Sequence, residues 1–296
     1  MWRAVVEACF YGHLFYGVCA AAQVIETSVQ LGLPVNGWLI VVSFIGTVVF
    51  YSYPYTRQTA SSTDPRVVWY RRHLDVVQQL QGWGLLALLA LVVWVVIRHN
   101  AAIRRMTILE WIVLLAVPGV AGFYYKSPGG RVITLRRIGW LKPFVIGFVW
   151  AGVVVAYPVL FARLQYGQYT PFTLFSCLLF VKSLMFIAVL AILFDIKDRE
   201  DDRRTGLSTV VTLVGLERTL FQVSLPLTML GIATFLSYAT MQHLTIPRVV
   251  LVLTPFLLLV AGIFSLTRTR TILYYLAAID GLMLAKAVID IVAMRY

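Results

Sequence analysis

Long apolar runs separated by short polar loops dominate this chain. About nine runs of roughly 20 residues follow one another, and they lie at 8–30, 38–55, 78–97, 108–125, 142–162, 172–194, 218–240, 248–266 and 271–293. A helix of that length crosses the hydrocarbon core of a bilayer. The pattern therefore predicts an all-α fold, namely a polytopic membrane protein of about nine transmembrane helices.

Composition supports a single membrane domain. Of the 296 residues, 60% are hydrophobic and only 13% are charged, and the mean hydropathy is +0.84. The first run is longer than a signal-peptide core and lacks a small-residue cleavage site, so we expect it to be retained. Because no loop is long enough to fold separately, we predict one domain over 1–296, with cap loops near 56–77 and 195–217.

Basic residues are concentrated in alternate loops. Lys and Arg accumulate in cytoplasmic loops of membrane proteins. This asymmetry predicts that the N-terminus and the acidic segment after residue 194 are cytoplasmic, in what we expect to be the cell inner membrane. The net charge of +12 is spread over short loops, so topology explains it, and we expect membrane lipid but no nucleic acid as a partner.

The segment 195–206 carries the most concentrated polar chemistry of the chain. Five of the thirteen acidic residues fall within 195–202. If the preceding helix continues, Asp195, Asp198 and Asp202 lie at i, i+3 and i+7 and share a face about 60° wide. Converging carboxylates suit a hard cation such as Mg²⁺. The alternative is a solvated helix end with ion pairs, since Lys and Arg residues are interleaved with the acids.

A second polar region follows the second apolar run. Tyr51 and Tyr55 precede Arg57, and Arg71 and Arg72 end a short segment that Asp64 and Pro65 are suited to begin. One interpretation is an aromatic belt and an interfacial helix whose arginines face lipid headgroups. The other is an anion-binding lid, because the guanidinium group binds phosphate in a bidentate way.

A few charged side chains lie inside the apolar runs. We expect Lys182 to form a structural ion pair, and Lys286 to pair with Asp290 four residues later. Asp280 either faces the same cavity as the acidic segment or takes a pairing partner, and we favour pairing. The three cysteines and four histidines have no metal-ligand spacing, which argues against zinc or heme.

The acidic segment resembles a known signature. Asp195-Ile-Lys-Asp198-Arg-Glu-Asp-Asp202-Arg-Arg-Thr-Gly206-Leu-Ser-Thr209, followed by Leu213-Val-Gly215, is similar to the second aspartate-rich motif of the UbiA superfamily of intramembrane prenyltransferases. The resemblance implies nine helices around a central cavity. The family's first motif, NDxxDxxxD, has no carboxylate at the corresponding position here, which is 51–59.

The resemblance also implies a function. It implies Mg²⁺-dependent transfer of a prenyl group from an isoprenoid diphosphate to a lipophilic acceptor, with Asp195, Asp198 and Asp202 as catalytic metal ligands. The predicted substrate-binding residues contact the diphosphate or stabilise an allylic cation, and they are Arg57, Arg71, Arg72, Tyr51 and Tyr55. Two alternatives stay open: a membrane terpene cyclase of the same fold, and a non-catalytic isoprenoid-lipid-binding protein.

Overall fold

The computed structural model describes residues 2–57, 64–125, 138–166 and 172–295. Within these ranges the chain forms helices and no strand. Part of the predicted cap loop near 56–77, namely 58–63, lies outside the described residues. The helices of the first half are α1 Trp2–Tyr11, α2 Leu14–Gln30, α3 Gly37–Thr56, α4 Pro65–Arg72, α5 Leu74–Arg98, α6 Asn100–Arg104 and α7 Ile108–Tyr125.

The second half contains longer helices interrupted by π-helical turns. These turns are Gly152–Ala156, Thr219–Ser224 and Tyr275–Ile279. The α-helices are α8 Lys142–Ala151, α9 Tyr157–Tyr166, α10 Leu174–Asp195, α11 Arg199–Arg204, α12 Val210–Val214, α13 Leu216–Arg218, α14 Leu225–Met241, α15 Ile246–Ser265, α16 Ile272–Tyr274 and α17 Gly281–Ala293.

The predicted all-α membrane fold is confirmed, but the nine spans are not equivalent. By length and apolarity, six helices of the described residues can cross a membrane, and a seventh can if α1 and α2 count as one bent span. The apolar helix Ile108–Tyr124 is shorter than these spans. The last predicted run is divided by a turn at Asp280. The nine predicted runs therefore belong to the predicted membrane fold, but they differ in length and continuity.

The bend in the first span has a local cause. The two parts, Val5–Tyr11 and Leu14–Gln30, meet at an angle of 61°. Between them His13 has a left-handed backbone conformation, with φ of 60°, which an α-helix cannot continue through. Such a conformation is uncommon outside glycine, and it is often found at functional sites.

Helix packing places α2 and α10 at the centre of the bundle. α10 packs against α8 and α14, whereas α2 packs against α3 and α17. The buried side chains between these helices are mostly apolar. By contrast α5 and α7 expose large apolar side chains such as Leu85, Leu89 and Ile112, as expected for surfaces that face lipid.

An ionic network joins three of these helices. Lys182 of α10 lies 2.8 Å from Asp290 of α17, which confirms that this lysine is paired. Lys286 contacts both oxygens of Glu26 on α2, at 2.6 and 2.7 Å. It is 4.0 Å from Asp290, so its main partner is Glu26 rather than the residue that sequence spacing predicted. The two acids and two bases neutralise one another inside the helix bundle, where burying an isolated charge would cost the most free energy.

Candidate functional site: an acidic and basic cavity mouth

A cavity of about 1140 Å³ opens between the helices. Its walls combine apolar side chains of α3, α5, α7, α8 and α10 with a cluster of charged and aromatic side chains. The polar part of the lining contains His13, Tyr16, Tyr51, Tyr55, Asp64, Arg66, Lys142, Asp195, Asp198, Asp201, Asp202 and Asp280. One ligand could therefore contact both the apolar walls and the charged residues of this lining, which we call the ionic mouth.

The three predicted aspartates all line this cavity, although not on one continuous helix. α10 ends at Asp195, a turn occupies 196–198, and α11 starts at Arg199. The assumption that the helix continues was wrong. The three aspartates nevertheless line the same cavity, with Asp195 at the end of α10, Asp198 in the turn and Asp202 on α11.

Each aspartate has its own electrostatic environment. Asp195 is buried and forms an ion pair with Lys142 at the start of α8. Asp198 pairs with the neighbouring Lys197. Asp202 is half-buried, and this burial raises its pKa to about 6; repulsion from Asp195 and Asp198 adds to the shift and the charge of Lys142 opposes it. At neutral pH Asp202 is therefore mainly ionised.

The carboxylates fit a cation only in part. Among the described residues, no group of three or more His, Cys, Asp or Glu side chains is placed to hold a metal ion. However, Oδ2 of Asp195 and Oδ2 of Asp202 are buried and lack a hydrogen-bond partner. Mg²⁺ in phosphate-binding sites commonly takes one or two carboxylates and completes its shell with phosphate oxygens and water. The donor set fits that arrangement.

Arg66 brings a fixed positive charge to the cavity. Its Nη2 donates to Oδ2 of Asp64 at 2.7 Å, and its guanidinium carbon lies 5.7 Å from the centre of the Tyr55 ring. Burial acts to raise the pKa of Asp64, but hydrogen bonds and the charge of Arg66 outweigh it and hold that pKa below its usual range. Asp64 also caps α4 by accepting from the backbone N–H of Arg66 at 2.8 Å.

The predicted arginine ligands lie elsewhere. Arg57, Arg71 and Arg72 are exposed and are not part of the cavity lining. Arg57 lies over the ring of Tyr53, at 5.1 Å. On α4 the residues Val67 and Tyr70 are buried. Arg72 lies on the opposite side of the helix, and Arg71 at the end of the helix is exposed. The structure brings Arg66 to the cavity in place of these three arginines.

The predicted tyrosines do reach the cavity, within a group of stacked rings. Tyr51 stacks on Tyr16 at 5.1 Å and accepts a hydrogen bond from Nε1 of Trp150 at 2.7 Å. Tyr55 stacks on Tyr70 at 4.8 Å. The hydroxyl of Tyr70 lies 2.8 Å from Nδ1 of His13. These contacts fix the rings beside the ionic mouth.

Asp280 faces the cavity rather than a basic partner. Its Oδ2 accepts a hydrogen bond from the hydroxyl of Tyr16, and in the described residues no Lys, Arg or His forms an ion pair with it. The expectation that Asp280 takes a charged partner was wrong. Sequence reasoning did not assign Arg66, Lys142 or Tyr16 to the site, because no motif or spacing distinguishes them from other residues of the same type.

These features define a class: the described residues form an all-α membrane bundle around a cavity whose lining carries both acidic and basic side chains. A solved structure reported for digeranylgeranylglyceryl phosphate synthase in membranes is similar to this chain, with a TM-score of 0.58 over 100% of both chains and 13% sequence identity. This similarity concerns the fold. Neither a known protein family's profile nor a curated protein sequence matches the chain.

Proposed function

We propose that the protein is a membrane prenyltransferase that moves a prenyl group from an isoprenoid diphosphate to a lipophilic acceptor. The observation that carries this proposal is the cavity itself. An amphipathic substrate with an apolar tail and a diphosphate head matches a cavity whose apolar wall continues into a mouth that holds Arg66, Lys142 and the aspartates. The fold it shares with a synthase that works in membranes agrees with this proposal.

The diphosphate would bind at the mouth. Arg66 offers guanidinium hydrogen bonds, which suit phosphate oxygens. Asp195 and Asp202, with Asp198 beside them, would hold Mg²⁺, and a bound Mg²⁺ would neutralise charge on the diphosphate. The apolar walls keep water away from the carbon that loses the diphosphate. Tyr51 and Tyr55 contribute partly negative ring faces near the mouth.

The topology of the proposal follows the charge pattern of the loops. The N-terminus and the acidic segment 195–206 would face the cytoplasm, where the water-soluble diphosphate product is released. The prenyl tail and the lipophilic acceptor would then enter the cavity from the hydrocarbon core of the membrane.

The Lys142–Asp195 pair favours one second candidate, a non-catalytic isoprenoid-lipid-binding protein. A lysine that neutralises the first aspartate reduces the carboxylate charge available to a metal. Such a protein would bind isoprenoid lipid without turnover, whether or not Mg²⁺ is present.

One assay separates these candidates. The purified protein in lipid nanodiscs is incubated with labelled geranyl, farnesyl or geranylgeranyl diphosphate, with and without a membrane lipid extract, and in Mg²⁺ or in EDTA. A prenyltransferase releases diphosphate and labels a lipid only with Mg²⁺. A terpene cyclase releases diphosphate without needing the extract. Binding without any diphosphate release would contradict the proposal.

A further inference from the structure

Asp280 differs from the other buried acids of the bundle. Glu26 and Asp290 contact Lys286 and Lys182. Asp195 and Glu110 likewise contact Lys142 and Arg163, respectively. Asp280 is only 5% exposed, yet its side chain receives a hydrogen bond from a neutral phenol, that of Tyr16. A buried acid of a membrane protein that has no basic partner in the described residues is a functional candidate.

The backbone around Asp280 places it at the cavity. The π-helical turn Tyr275–Ile279 ends immediately before it, and α17 starts immediately after it. An extra residue in a helical turn changes the direction of the side chains that follow, and such turns are frequent at functional sites. Asp280 and Tyr16 both line the same cavity as the acidic mouth. A ligand held there would therefore have the carboxylate beside it.

Prenyl transfer requires a group of this kind. The bond between the prenyl carbon and the diphosphate oxygen breaks, and the diphosphate leaves with the electron pair. The acceptor forms a new bond to that carbon and must lose a proton from its nucleophilic atom. No oxidation or reduction takes place, so the step balances once a base accepts this proton. A positioned carboxylate is a suitable general base.

We propose that Asp280 is the proton acceptor of the transfer, and that the acceptor lipid therefore carries a proton on its nucleophilic atom. This inference rests on the proposed prenyltransferase function. Tyr16 is a positioning residue: its hydroxyl holds the carboxylate, and its ring is fixed by stacking on Tyr51 at 5.1 Å with an interplanar angle of 6°.

The test compares variants of Asp280 in the assay with geranylgeranyl diphosphate, membrane lipid extract and Mg²⁺. Asp280→Asn keeps the shape of the side chain but accepts a proton poorly, so labelled product should form about 100-fold more slowly. Binding of the prenyl diphosphate should stay within about twofold of the native value, because Asp280 is hydrogen-bonded to Tyr16 and forms no ion pair with Arg66 or Lys142. Glu200→Gln, an exposed acid outside the cavity lining, should match the native protein and serves as the control.

Two further measurements distinguish a base from a structural residue. Asp280→Glu should recover part of the lost rate, and added formate should accelerate an Asp280→Ala variant by supplying a replacement base. Tyr16→Phe should slow product formation by about tenfold without weakening diphosphate binding. Tyr16→Phe keeps the aromatic packing, so it gives an answer even if the Asp280 variants do not fold.

Product formation by Asp280→Asn at half the native rate or faster would overturn the inference. A parallel loss of diphosphate binding and product formation, with no recovery by Asp280→Glu or formate, would also overturn it. Failure of the proposed function is recognised separately, because the native protein would then transfer the label from none of the prenyl substrates to a lipid of the extract.

Discussion

Lys142 at the start of α8 forms an ion pair with Asp195 at the end of α10. The two residues are 53 positions apart in the sequence, and the pair joins the two helices at the cavity mouth. A buried carboxylate whose cation is removed keeps its desolvation cost and loses the attraction that offset it.

Removing the lysine should therefore destabilise the protein. Because the Lys142 side chain is 21% exposed, solvent screening limits the loss, and we expect Lys142→Ala to lower the free energy of unfolding by about 1 to 2 kcal/mol in EDTA. Thermal unfolding in detergent measures this change. Arg268→Ala, at an exposed loop position, is the control, and equal unfolding temperatures for the two variants would show that the pair adds no stability.

Arg66 should matter for diphosphate binding, whereas Arg72 should not. A hydrogen bond to a charged group contributes about 1.5 to 3 kcal/mol, so Arg66→Ala should weaken binding of farnesyl diphosphate by about 10- to 100-fold. Arg72→Ala lies on the same short helix but outside the cavity lining, and it should change affinity by less than about twofold. Isothermal titration of both variants tests the assignment. The reverse order of effects would favour the arginines that the sequence alone suggested.

The stabilisation that Asp64 gives to the start of α4 should be lost at acid pH. The pKa of Asp64 is lower in the folded protein than in the unfolded chain, so the unfolded state binds protons more readily and acid favours unfolding. The stabilisation, about 1 kcal/mol for a helix cap, should be present above the unfolded pKa near 4 and should disappear as the pH falls through the folded pKa. Unfolding of the native protein and of Asp64→Ala between pH 7 and pH 3 measures this. A stability difference that does not shrink below about pH 4 would contradict the assignment.

Removing one charge of the ionic network should destabilise the protein more than removing one acid and one base together. Lys182→Met removes the lysine nearest to Asp290, and it should lower the free energy of unfolding by about 3 to 5 kcal/mol. Adding Asp290→Leu removes the uncompensated charge and should restore part of that stability. Thermal unfolding of the single and double variants tests this, with Glu217→Gln on the exposed surface as the control. A double variant less stable than Lys182→Met would refute the charge argument.

Sequence alone predicted the elements that depend on local pattern. Apolar length predicted the membrane fold. The spacing of Asp195, Asp198 and Asp202 predicted a shared face of one helix, whereas they line one cavity from a helix end, a turn and a second helix. The sequence did not predict that α10 ends at Asp195, because apolar periodicity does not indicate where a chain turns after an apolar run.

The remaining features depend on contacts between distant segments. Tyr16 and Asp280 are 264 residues apart, so no local pattern connects them. Arg66, Arg71 and Arg72 are residues of one type on one short helix, and the sequence does not distinguish Arg66, which contacts Asp64 and lines the cavity. The bend at His13 likewise follows from a backbone conformation that periodicity does not encode.

The central claim is that the aspartates at the cavity mouth support Mg²⁺-dependent cleavage of a prenyl diphosphate. The most direct test is the rate of diphosphate release by the native protein, Asp198→Ala, Asp202→Asn and the control Glu200→Gln, each with Mg²⁺ and with EDTA. We expect release by the native protein and Glu200→Gln only with Mg²⁺, and a loss of about 100-fold or more in Asp198→Ala and Asp202→Asn. Equal rates with Mg²⁺ and EDTA, or aspartate variants as active as the native protein, would contradict the account.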